Sequence, residues 1–127
     1  MKFLENKKIL IIITGGIAAY KTLDLIRKLS KLNCEIKTIL TKSGKEFVTP
    51  LSITSLSKNK VYTDLFSVEN ESEMDHISLS RWSDLILVAP ASSNFLTKIS
   101  NGFSDDLAST VIKAVSYTHL RAHETSR

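Results

Sequence analysis

The sequence predicts an α/β fold built on an open, mostly parallel sheet with helices on both faces. Residues 9–13 and 85–89 are continuous apolar runs, which are typical of strands buried on both faces. Segments with helical periodicity follow these runs. The strand, helix and strand predicted over residues 9–40 have the length of a βαβ unit. One such unit and a further buried strand predict a mostly parallel sheet.

The first unit is the clearest part of the pattern. The strand at 9–13 ends at Thr14-Gly15-Gly16, and from Ile17 the apolar spacing changes to that of a helix reaching about Asn33. Residues 35–40 alternate and are rich in Ile and Thr, which predicts the second strand.

The remaining elements are predicted in order along the chain. They are a short helix within 41–50 that ends before Pro50, a helix at 51–56, a brief strand at 61–62, an exposed acidic loop at 67–75, a helical turn or two at 77–82, a buried strand at 84–89, a helix capped by Ser92, Ser93 or Asn94 and ended by Asn101-Gly102, and a helix at 107–115 capped by Ser104, Asp105 or Asp106.

Composition excludes several classes of protein. The 127 residues suffice for one domain, and 43% hydrophobic with 24% charged residues is ordinary for a soluble globular chain. The net charge is +4, but no basic block exceeds two residues, so we expect no nucleic-acid partner. The apolar runs are too short to span a membrane, and we expect no membrane partner. A single cysteine, Cys34, and the absence of a signal peptide indicate the cytoplasm.

Polar residues follow three of the predicted strands. The strand ends carry Gly15-Gly16, then Thr41-Lys42-Ser43, then Ser92-Ser93-Asn94. Each group alone is explained by a tight turn or by helix capping, and neither a dinucleotide fingerprint nor a P-loop is present. Because ligands of open parallel sheets bind beyond the carboxyl ends of strands, the three groups together predict a nucleotide-like anion site.

Other candidate residues carry less information. His76, taken by pattern alone, is interpreted as a surface or capping residue, although a histidine facing the site could serve as a general base. Asp105 and Asp106 are interpreted as caps, and Trp82 and Phe95 as core residues. No Cys/His spacing suggests a metal, and none is predicted.

Five stretches in order resemble the flavin-dependent cysteine decarboxylase family. They are GGIAAYK, TKSGKEFVTPL, VYTDLF, HISLSRWSDLILVAPASSN and NGFSDDLAST, and the resemblance covers roughly residues 7–115. Within the family the sequence is most similar to the phosphopantothenoylcysteine decarboxylases of bifunctional coenzyme A biosynthesis flavoproteins.

The resemblance implies a Rossmann-like, flavodoxin-like fold that binds FMN. The residues implied to approach the flavin are Gly15, Gly16, Ile17, Ala18, Thr41, Lys42, Ser43, Ser92, Ser93 and Asn94. It also implies trimers or dodecamers, with FMN at a subunit interface. His76 aligns with the family's essential histidine, which overturns the interpretation from pattern alone.

The implied reaction is decarboxylation of 4′-phosphopantothenoylcysteine, a small-molecule substrate, to 4′-phosphopantetheine. Bound flavin would oxidise the cysteine to a thioaldehyde, whose sulfur draws electrons as carbon dioxide leaves. A fused synthetase domain is expected in the complete protein. The alternatives are a peptidyl-cysteine decarboxylase, a non-catalytic flavin-binding relative, and a flavin prenyltransferase.

The sequence departs from the family in two places that matter. Phe95 stands where a threonine near the flavin phosphate is common. After Val115 the family continues, whereas residues 116–127 (SYTHLRAHETSR) match nothing in it and are interpreted as a non-native tail resembling vector or adapter sequence. We therefore expect residues 1–115 to be an incomplete flavoprotein domain, and this chain to fold poorly and not to decarboxylate.

Overall fold

The computed structural model describes residues 2–63 and 76–115. Strands and α-helices alternate along most of the described chain, and two helices follow the last strand, as the sequence predicts. In chain order they are β1 (Lys8–Ile13), α1 (Ala19–Lys31), β2 (Glu35–Leu40), α2 (Pro50–Ser57), β3 (Val61–Tyr62), α3 (His76–Trp82), β4 (Leu85–Val88), α4 (Ser93–Ser100) and α5 (Leu107–Val115).

The four strands form one parallel sheet in the order β3-β2-β1-β4. In its register, Ile11 of β1 lies beside Thr38 of β2 on one side and Leu87 of β4 on the other. The predicted fold class, an open parallel α/β sheet of the Rossmann-like type, is confirmed.

Alternate side chains of β1 enter two separate hydrophobic clusters. Ile9, Ile11 and Ile13 pack with buried residues of α1 and α2 on one face of the sheet. Leu10 and Ile12 pack on the other face with residues of α3, α4 and α5. Because successive strand residues point to opposite faces, an unbroken apolar run is what a strand covered on both sides requires. Full burial of each such side chain contributes about 1.5–3 kcal/mol.

The prediction of a buried strand at 84–89 is only partly right. The strand is shorter, Leu85–Val88, and Leu85 keeps 36% of its surface exposed. In the described part of the chain β4 is the outer strand next to β1, so it has a neighbour on one side only. An apolar sequence shows that a strand can be buried. The position of the strand in the sheet decides whether it is buried.

Two helix boundaries also differ from the prediction. A single 3-10 turn at Gly44–Glu46 replaces the short helix expected within 41–50. The chain becomes extended at Thr49, whose hydroxyl accepts a hydrogen bond from the Ser52 amide and caps α2. Helix α1 starts at Ala19 rather than Ile17, which leaves Ile17 and Ala18 in the turn after β1.

The predicted acidic loop at 67–75 and the predicted tail at 116–127 lie outside the described residues. Among the helices that are described, none combines the length and the apolar character needed to cross a membrane.

Candidate functional site

The carboxyl ends of β1, β2 and β4 border one cavity of about 650 Å³. Because the strands are parallel, their ends lie at the same edge of the sheet. The lining residues are Thr14 and Gly15 after β1, Thr41, Lys42 and Ser43 after β2, Ser92, Asn94, Phe95, Thr97 and Lys98 from the start and body of α4, and Asn101, Phe103, Asp105 and Asp106 before α5. The structure thus brings all three predicted strand ends together.

Two glycines let the ends of β1 and β2 approach each other closely. A Cβ atom on Gly15 would lie 2.7 Å from the Ser43 Cβ atom. On Gly44 it would lie 2.6 Å from the Ile13 carbonyl oxygen. Side chains at these positions would push the two turns apart, so the glycines set the width of this side of the cavity.

Some hydroxyls at the cavity are occupied in holding its wall. Thr41 Oγ1 donates to the Ile13 carbonyl at 3.2 Å and accepts from the Gly44 amide at 3.1 Å. Ser92 Oγ accepts from the Phe95 amide at 3.2 Å and caps α4. A hydroxyl has one proton to donate, so Thr41 has none left for a phosphate, which only accepts at its charged oxygens.

Other polar groups at the cavity are not engaged by protein. Within the described residues, the side chains of Lys42, Ser43 and Asn94 make no hydrogen bond or salt bridge. The backbone amides of Ser93 and Asn94, in the first turn of α4, likewise have no acceptor there. An ammonium, a hydroxyl, an amide and a helix N-terminus suit an anionic, oxygen-rich ligand.

The far wall is an ion-paired corner between α4 and α5. Lys98 Nζ lies 2.7 Å from an Asp105 carboxylate oxygen and 3.0 Å from one of Asp106. Asp106 also accepts hydrogen bonds from the Ser109 amide at 2.8 Å and hydroxyl at 2.6 Å, which caps α5 as predicted. Lys98 is therefore neutralised, and Lys42 is the cation of this lining that has no carboxylate partner among the described residues.

The ionisation of this corner follows from its contacts. Partial burial raises the pKa of Asp106, but the hydrogen bonds from Ser109 and the Lys98 ammonium outweigh it, so the pKa lies below the ordinary 3.8. Desolvation lowers the pKa of Lys98, but the two carboxylates outweigh it and hold it above 10.5. Both ends of the pair are charged at neutral pH.

Several candidate residues lie outside the cavity lining. Gly16, Ile17 and Ala18 belong to the turn after β1, where Ile17 is 80% exposed. Ser93 is exposed at the start of α4. His76 is the first residue of α3 and half-buried, and it does not line this cavity.

Sequence reasoning missed the far wall. Asn101 and Phe103 belong to a quoted family stretch but were given no site role, and Lys98, which belongs to none, meets Asp106 eight residues away across a turn. Helical spacing does not reveal such a pair, because it connects two helices rather than two turns of one helix. The described residues hold no group of three His, Cys, Asp or Glu side chains that could bind a metal ion.

Comparison with known proteins identifies the family. A family model described as Flavoprotein matches residues 2–120. The bifunctional coenzyme A biosynthesis protein CoaBC of Haemophilus influenzae is 45% identical over 111 residues, which are 87% of this chain and 28% of that protein. A probable phosphopantothenoylcysteine decarboxylase of Streptococcus mutans is 39% identical over 110 residues, 87% of this chain and 62% of that one.

Solved structures of similar fold agree. The FMN binding protein AtHal3 superposes with a TM-score of 0.72 at 29% identity, covering 90% of this chain and 62% of that one. The peptidyl-cysteine decarboxylase EpiD superposes with a TM-score of 0.70 at 28% identity, covering 85% and 63%. The chain spans between about a quarter and two thirds of the length of the curated relatives it matches. With its sheet, its cavity and these matches, this chain belongs to the flavoprotein family.

Proposed function

We propose that the intact protein carrying this sequence is an FMN-dependent phosphopantothenoylcysteine decarboxylase of coenzyme A biosynthesis. The observation that carries the proposal is the convergence of three strand ends on one cavity in a chain of this family. A relative 45% identical bears the name of that pathway, and one 39% identical bears the name of that activity.

The residues at the cavity fit a flavin mononucleotide. A volume of about 650 Å³ lies within the range of cofactor sites. Lys42, Ser43, Asn94 and the open amides of Ser93 and Asn94 would hold the phosphate and ribityl oxygens. Phe95 and Phe103 provide apolar surface for a ring. Gly16, Ile17 and Ala18 follow Gly15 of the lining in the same turn, and Ile17 and Ala18 are exposed. Thr41 and Ser92 would act chiefly by keeping the turns in place.

When bound, FMN would supply the two-electron oxidation of the substrate cysteine that makes loss of carbon dioxide possible. The protein would orient the substrate and manage its protons. His76 is the candidate for taking the thiol proton, because imidazole exchanges protons near neutral pH. It is the first residue of α3.

Replacing His76 with asparagine tests this role. We expect His76→Asn in the full-length protein to lose turnover by at least a hundredfold, the usual contribution of a general base, while FMN absorbance stays unchanged. Ile77→Ala, an exposed change one residue along the same helix, is the matched control and should keep activity. Retained turnover in His76→Asn would remove the histidine from the mechanism.

A peptide substrate is the second candidate, favoured by the structural likeness to the peptidyl-cysteine decarboxylase EpiD. Purified full-length protein should be assayed with phosphopantothenoylcysteine and with a peptide ending in cysteine. Turnover of the first alone supports the proposal, and turnover of the peptide alone overturns it. An FMN-bound protein that turns over neither would be the non-catalytic relative.

The expected partners follow from the same relatives. We propose fusion to a synthetase domain, as in the CoaBC proteins, and a cytoplasmic location. We also propose a homotrimer or dodecamer, supported by the exposed apolar side chains of Ile17 and Tyr20 beside the cavity turn. Light scattering of the full-length protein should give a multiple of three chains, and a monomer would refute the assembly.

A further inference from the structure

The turn between β4 and α4 leaves the sheet at Ala89. The Ala89 amide still donates to the Ile12 carbonyl of β1 at 2.9 Å, and the Ala89-Pro90 peptide bond is cis. Beyond this point the turn has no strand partner, so its backbone groups must be satisfied in another way.

Two buried threonines of the β1–α1 segment satisfy them. The Thr14 hydroxyl donates to the Pro90 carbonyl and accepts from the Ser92 amide at 3.1 Å. The Thr22 hydroxyl donates to the Ala89 carbonyl at 2.8 Å. Thr14 is 2% exposed and Thr22 3% exposed, so water does not replace these bonds at low cost.

The hydrogen bond between Thr14 and Ser92 connects the end of β1 to α4, the helix that borders the cavity. Ser92, which Thr14 holds through its amide, caps α4 by accepting from the Phe95 amide. Thr14 therefore links the end of β1 to the first turn of α4, where the amides of Ser93 and Asn94 have no acceptor among the described residues. Thr22 holds the same turn three residues before Ser92, and it does not line the cavity.

We propose that Thr14 is a positioning residue, whose hydroxyl holds the N-terminus of α4 at the place where it can bind the ligand anion. Its proton is already donated to Pro90, so it acts through Ser92 and not by donating to the ligand. The inference rests on the proposed function, because it takes FMN as the ligand of this cavity.

The experiment compares Thr14→Val, Thr14→Ser and Thr22→Val in the full-length protein. FMN affinity is measured by quenching of flavin fluorescence, and the orientation of bound flavin by its visible circular dichroism. We expect Thr14→Val to weaken FMN binding at least tenfold and to change the dichroism, because the Ser92 amide loses its acceptor. The tenfold loss corresponds to about 1.4 kcal/mol of binding free energy. Thr14→Ser, which keeps the hydroxyl, should bind FMN within about twofold of the wild type.

Thr22→Val separates positioning from stability. It removes a buried hydroxyl from the same turn, so we expect a lower melting temperature but an unchanged FMN affinity and dichroism. Equal FMN binding by Thr14→Val and Thr22→Val would overturn the inference. If Thr14→Val does not fold, Thr14→Ala replaces it, and the comparison with Thr14→Ser decides in the same way. A wild-type protein that binds no FMN overturns the proposed function and this inference together. If the wild type binds FMN and Thr14→Val binds it equally well, the inference alone is overturned.

Discussion

Strands β1 and β4 have nearly the same sequence character and very different surroundings. KILIII in β1 and LILV in β4 are both unbroken apolar runs. Ile9–Ile13 are entirely buried, because β1 has a strand on each side and helices on both faces. Every residue of β4 keeps some exposed surface, since the described sheet ends there.

The cavity lies where these two unlike strands end side by side. On the β1–β2 side the turns are fixed by close backbone contact at Gly15 and Gly44. On the β4 side the turn is fixed by side-chain hydrogen bonds from Thr14 and Thr22 and by the ion-paired corner of Lys98. The wall on the β1–β2 side is therefore positioned by packing, and the wall on the β4 side by specific polar contacts.

The largest expected effect compares two residues opposite each other in the sheet. Ile11 and Leu87 are register partners, but Ile11 is fully buried and Leu87 only partly. We expect Ile11→Ala to lower the free energy of unfolding by about 4 kcal/mol and Leu87→Ala by about 2 kcal/mol. Urea unfolding of the full-length protein measures both. Equal losses would mean that β4 is covered as completely as β1 in solution.

The second comparison concerns the glycines at the strand ends. A methyl group on Gly44 would meet the Ile13 carbonyl and Leu40, whereas on Gly16 it would first meet Pro90 at 3.4 Å. We expect Gly44→Ala to cost about 2 kcal/mol of stability. Gly16→Ala should leave the unfolding midpoint almost unchanged. If Gly16→Ala nevertheless weakens FMN binding, the glycine serves the ligand rather than the fold.

The third comparison tests the polar wall. Asp106 caps α5 and pairs with Lys98, whereas Asp105 only pairs and is more exposed. We expect Asp106→Ala to cost about 1 kcal/mol, the usual value of a cap, and Asp105→Ala less than about 0.5 kcal/mol. A loss from Asp105→Ala as large as that from Asp106→Ala would show that pairing, and not capping, stabilises this corner.

The pH dependence of the same wall has a defined sign. The pKa of Asp106 is lower in the folded chain than its ordinary 3.8, so its contribution is present above that value and is lost as pH falls through the folded pKa. The pKa of Lys98 is raised above 10.5, so its contribution is lost only at more alkaline pH. The stability difference between wild type and Asp106→Ala should shrink below about pH 4. A difference that is constant from pH 7 to pH 2 would contradict the assignment.

The last comparison concerns β2, an interior strand of the described sheet, and its expected effect is stabilising. Thr38 is fully buried, and its hydroxyl has no hydrogen-bond partner within the described residues. We expect Thr38→Val, of nearly equal shape, to raise the free energy of unfolding by about 1 kcal/mol. Thr22→Val, where the hydroxyl is paired, should lower it. Destabilisation by Thr38→Val would reveal a partner for this hydroxyl.

Most of the elements and their order could be predicted from the sequence. Apolar periodicity located β1, α1 and β2 to within two residues, because burial of one face or both leaves a periodic record in the chain. Polar residues directly after apolar runs located the edge of the sheet where the cavity lies, since parallel strands must end together. The caps of α4 and α5, Ser92 and Asp106, are each among the three candidates that the sequence offered, because a cap is a local contact within four residues.

The tertiary structure alone decided which of these residues remain available to a ligand. Thr41 matches Ser43 in chemistry, yet its proton is donated to the Ile13 carbonyl 28 residues away, while the Ser43 hydroxyl is not engaged within the described chain. Folding also brings Thr14 into contact with Pro90 and Ser92, which lie 76 and 78 residues further along the chain. It places β4 at the edge of the described sheet. The sequence shows which hydrogen bonds a side chain is able to make. Contacts between distant segments form only when the chain folds, and they decide which of these bonds are made.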